Sequence, residues 1–182
     1  MILVVAEQRG GRLARASWEA VAAAQSIADG DAITVVVPGA AVEAPASELA
    51  SASVSEVIGL VHPALEPYTA DGYSQALSAL VGELAPSLVL LPHTYQTRDF
   101  APALAARLGR ALITDCTALR RENGRVFFTR SLFQGKLAAD VVAEGETPHF
   151  ATLHIGAVRA DSARQGDSPA PVRQAAAVVD PA

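Results

Sequence analysis

The sequence is poor in the features that would staple a chain or carry it across a bilayer. One cysteine, Cys116, stands in 182 residues, so no internal disulfide framework is available and no disulfide partner is expected. It lies between Ile113 and Leu119, which predicts a buried, inert thiol. No uninterrupted apolar run approaches the ~18 residues of a membrane-spanning helix, so no membrane insertion is expected. The apolar start, Ile2–Ala6, has neither a basic leader nor a cleavage site, which predicts a cytoplasmic rather than a secreted protein. Fourteen Lys and Arg stand against nineteen Asp and Glu, a formal charge of −5. The basic residues are scattered, and nucleic-acid binding is excluded as an expectation.

Phosphate-binding motifs are missing too. Glu7-Gln8-Arg9-Gly10-Gly11-Arg12 follows the first apolar run but lacks the Gly-x-Gly-x-x-Gly spacing that brings backbone close to a pyrophosphate. The Gly-x-x-x-x-Gly-Lys-Ser/Thr cradle is absent as well, and Gly10-Gly11 reads as a flexible turn.

What is present is apolar bulk. Hydrophobic residues make up 51% and charged residues 18%, a ratio rich enough for one domain of this length to fold without staples. Ile2–Ala6 reads as a central strand covered on both faces. Ala16, Ala20, Ala23, Ala24 and Ile27 form one stripe of a helix over 16–29, ended by Asp29-Gly30. A strand over Ile33–Val37 is expected to stop at Pro38-Gly39. A helix over 43–52 and a strand over 54–60 follow. Tyr73, Ala76, Leu77, Leu80 and Leu84 mark an amphipathic helix over 70–84, and Pro86 separates it from a strand over 87–91.

Past Arg107 the texture changes. Thr114–Leu119, Arg125–Arg130, Leu137–Val142 and His149–Ile155 read as strands joined by turns at Glu122-Asn123-Gly124, Gln134-Gly135 and Glu144-Gly145-Glu146. Strands in direct succession are expected to be mostly antiparallel. The chain therefore reads as α/β: a wound, mainly parallel sheet in the first half, extended by antiparallel strands in the second. From Ala160 a polar tail is expected, with a last strand over Arg173–Val179.

Chemistry concentrates in residues 90–117. A polar loop after the strand over 87–91 precedes a short helix, the position at the carboxyl end of a strand where ligands and partners usually sit. Thr97 or Asp99 is expected to cap that helix, with Pro102 in its first turn. His93 begins the loop. His149 and His154 lie five apart, which on a strand points them to opposite faces and argues against a shared metal. Asp115-Cys116 with His93 would be a set for nucleophilic catalysis, but Cys116 falls inside a strand and no oxyanion loop is recognisable.

Three stretches carry a further reading. The first is Ile2-Leu3-Val4-Val5-Ala6-Glu7, then Gly11-Arg12-Leu13 and Ser17-Trp18-Glu19-Ala20. The second is Arg98-Asp99-Phe100-Ala101-Pro102 with Leu104-Ala105-Ala106, running on to Ile113-Thr114-Asp115. The third is Arg130-Ser131-Leu132-Phe133-Gln134-Gly135-Lys136, followed by His154-Ile155-Gly156-Ala157-Val158. In this order and spacing they resemble the N-terminal domain of the electron transfer flavoprotein alpha subunit over nearly the whole chain. His93 and Thr97 stand where that family usually has glycine, Ala103 where it has arginine, and His154 where arginine is usual.

The resemblance implies a Rossmann-like fold of the adenine-nucleotide alpha-hydrolase type, with a domain over 1–159 and a tail over 160–182 that starts a linker. It implies a non-enzymatic scaffold and partner-binding module of an electron-transfer complex. FAD is implied for that complex, in a glycine-rich second domain this sequence does not contain, and none is expected to be held by this chain. No catalytic, cofactor-binding or metal residue is assigned. The expected partner is a beta-type subunit, in a heterodimer, or a second copy of the chain. The expected partner-facing residues are His93, Thr94, Tyr95, Arg98, Asp99, Arg130 and Lys136. The alternative reading is a small adenine-nucleotide-binding module of the same superfamily. A third makes His93 a catalytic base, for which the sequence points to no substrate.

Overall fold

A computed structural model describes residues 1–180. In chain order, β1 (Ile2–Val5) leads through a small hairpin of β2 (Gln8–Arg9) and β3 (Arg12–Leu13) to α1 (Arg15–Ile27). There follow β4 (Ile33–Gly39), α2 (Glu43–Leu49), β5 (Glu56–Val61), α3 (Ala70–Leu84), β6 (Leu88–Pro92) and α4 (Tyr95–Arg107). The second half comprises β7 (Leu112–Glu122), β8 (Arg125–Leu132), β9 (Leu137–Val142), β10 (His149–Leu153) and β11 (Val172–Ala176). Nine strands form one sheet in the order β11-β5-β4-β1-β6-β10-β7-β8-β9.

Side-chain alternation along β1 splits the core in two. Ile2, Val4 and Ala6 join Ala20, Ala23, Ala24 and Ile27 of α1 and Leu49 of α2 on one face. Leu3 and Val5 join Tyr73, Leu77 and Leu80 of α3 and Phe100 and Leu104 of α4 on the other. Burial on both faces leaves no polar position in β1 or β6, which is why they read as unbroken apolar runs. The chain winds outward from β1 to β4 and β5, then resumes on the other side of β1 with β6. The switch point lies between β1 and β6, and beyond its carboxyl ends a crevice opens.

The amphipathic stripe over 70–84 is found as expected, with Thr69 as N-cap accepting the Gly72 N–H at 3.2 Å. Three expectations need correcting. Strand β4 does not stop before Pro38-Gly39; both residues pair with Leu60 and Val61 of β5. The side of Pro38 that lacks an N–H faces where β1 has already ended, so no ladder bond is lost. Its carbonyl instead accepts from Gln8 Nε2 at 3.3 Å and from the Tyr73 hydroxyl at 3.4 Å. A Cβ at Gly39 would stand 2.3 Å from Gln8 Nε2, so a larger residue there would displace the Gln8 amide from the Pro38 carbonyl.

The second correction is β10. It does not continue the antiparallel succession but inserts between β6 and β7, parallel to both. Phe150 and Ala151 are fully buried there, a demand that only a central position meets. The third is α4, which starts before Thr97 and Asp99: its N-cap is Thr94, whose Oγ1 accepts the Thr97 N–H at 3.1 Å. Pro102 consequently lies inside the helix and costs it a backbone hydrogen bond.

Strands β7, β8 and β9 are antiparallel as expected. A bulge at Asp115, with φ +60°, shifts the pairing of β7 with β10 and turns β7. Beyond it Arg121 reaches back to Asp31, before β4, at 2.6 Å, and Leu119, Val126, Phe128 and Val141 pack on the α1 side of the core. The antiparallel layer thus doubles back over that face. Strand β8 then returns, so the turn over 133–136 projects past the carboxyl edge of the sheet.

The segment from Ala160 is largely exposed yet tied down. Gln25 of α1, 4% exposed, donates to the carbonyls of Ser53 and Arg164 and accepts the Arg164 N–H at 2.7 Å. Strand β11 then closes the sheet edge beside β5.

Candidate functional site

The carboxyl edge of the sheet carries two hollows and an apolar fringe. The larger hollow, about 1080 Å³, is the switch-point crevice, lined by Glu7, Gln8, Arg9, Tyr68, Thr94 and Asp99 among others. Its position is fixed from β1 outward. The buried Ser17 hydroxyl, 0% exposed, accepts the Glu7 N–H at 2.8 Å and donates to the Glu7 carbonyl at 2.9 Å. The Glu7 carboxylate in turn accepts from the Thr94 hydroxyl, linking the loop after β1 to the cap of α4. The Tyr68 hydroxyl donates to Asp99 Oδ2 at 2.8 Å, and the Tyr68 ring meets Tyr73 edge-on at 5.0 Å. Burial first, then the Asp99 hydrogen bond and charge, hold the Tyr68 phenol well above its ordinary range, so it stays a donor.

Glu7, Glu66 and Asp99 place three carboxylates in this crevice beside the single guanidinium of Arg9. No glycine cradle presents N–H groups, and the acidic lining opposes the phosphates of a nucleotide.

The smaller hollow lies between β6, β7, β10 and α4. The His93 ring Nδ1 is 2.8 Å from the Thr152 hydroxyl, and Thr152 Oγ1 accepts the Asp115 N–H at 2.9 Å. The bulge turns Asp115 so that Oδ1 lies 2.8 Å from His154 Nδ1 and 3.6 Å from His93 Nε2. Burial lowers the pKa of His93, as do the positive charges of Arg98 and Arg130, while Asp115 opposes them; the net effect favours the neutral ring. Burial works against charge on Asp115, but the His154 hydrogen bond and the charges of His93, His154 and Arg130 outweigh it and hold the carboxyl below its usual value. Among the described residues no group of three or more His, Cys, Asp or Glu side chains has the placement to hold a metal ion. Cys116, the neighbour of Asp115, is fully buried, and desolvation pushes its thiol up to about 12.

The residues expected to face a partner divide. His93, Arg98 and Arg130 gather around the smaller hollow. Thr94 is used as a cap and Asp99 as the acceptor for Tyr68. Tyr95 is 88% exposed on the first turn of α4, with the Arg98 guanidinium 5.6 Å from its ring centroid. Lys136 stands apart in the turn between β8 and β9.

Sequence reasoning missed the meeting of Asp115 with His154, because nothing local announces a bulge. It also passed over Leu132, Phe133 and Leu137, whose signal was apolar residues flanking a Gln134-Gly135 turn. Five of the seven large apolar side chains exposed among the described residues lie on this edge: Tyr95, Leu132, Phe133, Leu137 and Ile155.

Residues 2–180 match the family model described as the electron transfer flavoprotein domain. The chain belongs to the electron transfer flavoprotein family. It is 36% identical to the electron transfer flavoprotein subunit alpha of Bacillus subtilis, over 91% of this chain and 51% of that protein. It is 35% identical to the subunit alpha of Thermoanaerobacterium thermosaccharolyticum, over 87% of this chain and 49% of that one. A subunit named for acryloyl-CoA reductase electron transfer, subunit beta, from Anaerotignum propionicum is 29% identical over 87% of this chain and 50% of its own.

The chain thus spans about half the length of the curated relatives it matches, and its fold is that of an electron transfer flavoprotein alpha-like domain. Several residues of the stretches that carry this likeness are structural. Ser17 holds Glu7 in place, and Glu19, 4% exposed, accepts the Gly156 N–H at 2.7 Å, joining the first stretch to the last.

Proposed function

We propose that this electron transfer flavoprotein alpha-like domain is a scaffold and partner-binding module of a flavin electron-transfer complex, with the flavin held elsewhere and no enzymatic turnover of its own. The observation that carries this reading is the apolar fringe along the carboxyl edge. Tyr95 at 88% and Ile155 at 51% exposure lie beside His93, Arg98, Asp115 and His154, while Phe133 at 72% and Leu137 at 59% flank the turn between β8 and β9, giving this edge apolar side chains next to charged ones. The partner is a beta-type subunit or a second copy of this chain, and His93, Thr94, Tyr95, Arg98, Asp99, Arg130 and Lys136 contribute to the contact. Strand β9, with one side of its backbone unpaired in the sheet, offers further hydrogen bonds to a partner. The acidic crevice supports placing the nucleotide-bearing flavin outside this chain.

The reading is tested by purifying the intact chain alone and with a co-expressed beta-type subunit. Light scattering is expected to give a stable dimer in at least one case, and Phe133→Ser is expected to weaken it at unchanged thermal stability. A protein that remains monomeric under both conditions would overturn the scaffold role. Calorimetric titration with AMP, ATP and FAD separates the alternative: stoichiometric binding to the chain alone replaces this reading by a nucleotide-binding module.

A further inference from the structure

The smaller hollow has an unbalanced charge. Its walls are His93, Arg98, Thr114, Asp115, Arg130 and Thr152, with Ala101, Pro102 and Leu112 behind them. Two guanidiniums face one carboxylate, a net of +1 with the His93 ring neutral. Neither Arg98 nor Arg130 forms an ion pair among the described residues, since Asp115 is engaged by His154 at 2.8 Å and His93 at 3.6 Å.

Arg130 makes the imbalance specific. Its Nη2 donates to the Thr114 hydroxyl at 3.1 Å, whereas its Nε is buried and has no hydrogen-bond partner. A buried guanidinium N–H left unbonded carries a desolvation cost that folding would normally relieve. The Thr114 and Thr152 hydroxyls and the neutral His93 ring complete a lining that can donate without adding negative charge. A cavity of about 360 Å³ admits a small ion with water and is at the lower end of what drug-sized ligands need.

We propose that this pocket binds a small free oxyanion of the phosphate or carboxylate type, held by the buried Nε of Arg130 and by the Arg98 guanidinium. A planar guanidinium matches two oxygens of such a group, and pairing with it would satisfy the orphaned N–H. A cation is excluded by the same two arginines. The site is separate from the acidic crevice and requires no partner chain, so it stands or falls independently of the scaffold role.

The test uses the intact chain without a partner. Inorganic phosphate is titrated at constant ionic strength, chloride making up the balance, while arginine side-chain Nε–H signals are followed by ¹⁵N-edited NMR. The Arg130 signal is expected to shift and saturate, with acetate giving a smaller saturable shift and chloride none. Arg98→Gln, an exposed position that leaves the fold intact, is expected to weaken phosphate about tenfold by removing one charge-assisted contact. The inference is overturned if Arg130 shows no saturable response, or moves only in step with the 80% exposed Arg15 and the 81% exposed Arg159. Unchanged affinity in Arg98→Gln, with that variant still folded, would equally overturn it.

Discussion

Replacing Gln25 by Met tests how the segment beyond Ala160 is held. Gln25 Nε2 donates to the Ser53 carbonyl at 3.1 Å and the Arg164 carbonyl at 2.9 Å, and Oε1 accepts the Arg164 N–H at 2.7 Å. Methionine keeps the length and the apolar stem but offers no comparable donor or acceptor. The Arg164 carbonyl would keep the Ser53 N–H at 2.8 Å, so the orphaned groups are the Ser53 carbonyl and the Arg164 N–H. Two unsatisfied backbone groups and the lost bonds cost about 2–4 kcal/mol together. For a domain of this size that is a fall in Tm of roughly 5–12 °C. Guanidinium and thermal melts followed by circular dichroism give the global value. Hydrogen exchange gives the local one, and the Arg164 amide is expected to exchange far faster while amides of β1 slow or speed only with global stability. A Tm within about 2 °C of the parent, with Arg164 still protected, would refute the reasoning, because other contacts would then be holding the segment.

Other outcomes follow from the core and the titrating groups. Leu77→Ala, at a fully buried position on the α3 side of the sheet, is expected to cost about 2–5 kcal/mol and to lower the denaturant midpoint without changing the slope. Cys116, with its thiol pushed up to about 12 and no exposed surface, is expected to resist Ellman's reagent in the native state and to react fully once unfolded; rapid native reaction would place it outside the core. His93 has a folded pKa below its unfolded value near 6.5, so the unfolded chain binds the extra proton first. Its contribution to stability is therefore complete above about pH 6.5 and is lost as pH falls through the folded pKa, and His93→Gln is expected to flatten that part of the stability–pH curve. Asp115 behaves likewise at lower pH: its stabilisation is present above the unfolded value near 3.8 and lost as pH falls through the depressed folded one. His154→Gln is expected to raise the Asp115 pKa, read from its carboxyl ¹³C shift.

Much of this architecture is legible in the residues. Ile2–Val5 and Leu88–Leu91 read as central strands because both faces are apolar, and the α3 stripe from Tyr73 to Leu80 recurs at helical spacing. Asn123-Gly124, both at positive φ, are the pair a tight hairpin requires. The corrections share one origin. Pro38 is tolerated in β4 because β1 ends beside it, and β10 is parallel because a space between β6 and β7 must be filled. Thr94 caps α4 because Glu7, far away in sequence, positions its hydroxyl. None of these reasons lies within a few residues of its effect.

The sequence by itself determined the class of fold, the family and the absence of a phosphate cradle, since periodicity and short motifs are written in local spacing. Only the tertiary structure decided which polar residues meet. The bulge at Asp115 brings together His93, His154 and Arg130, which stand in separate elements, and the return of β8 sets Arg130 against Thr114 with its Nε unbonded. Contacts between groups dozens of residues apart depend on strand order and on where a strand bends, and both are settled by packing the whole core at once.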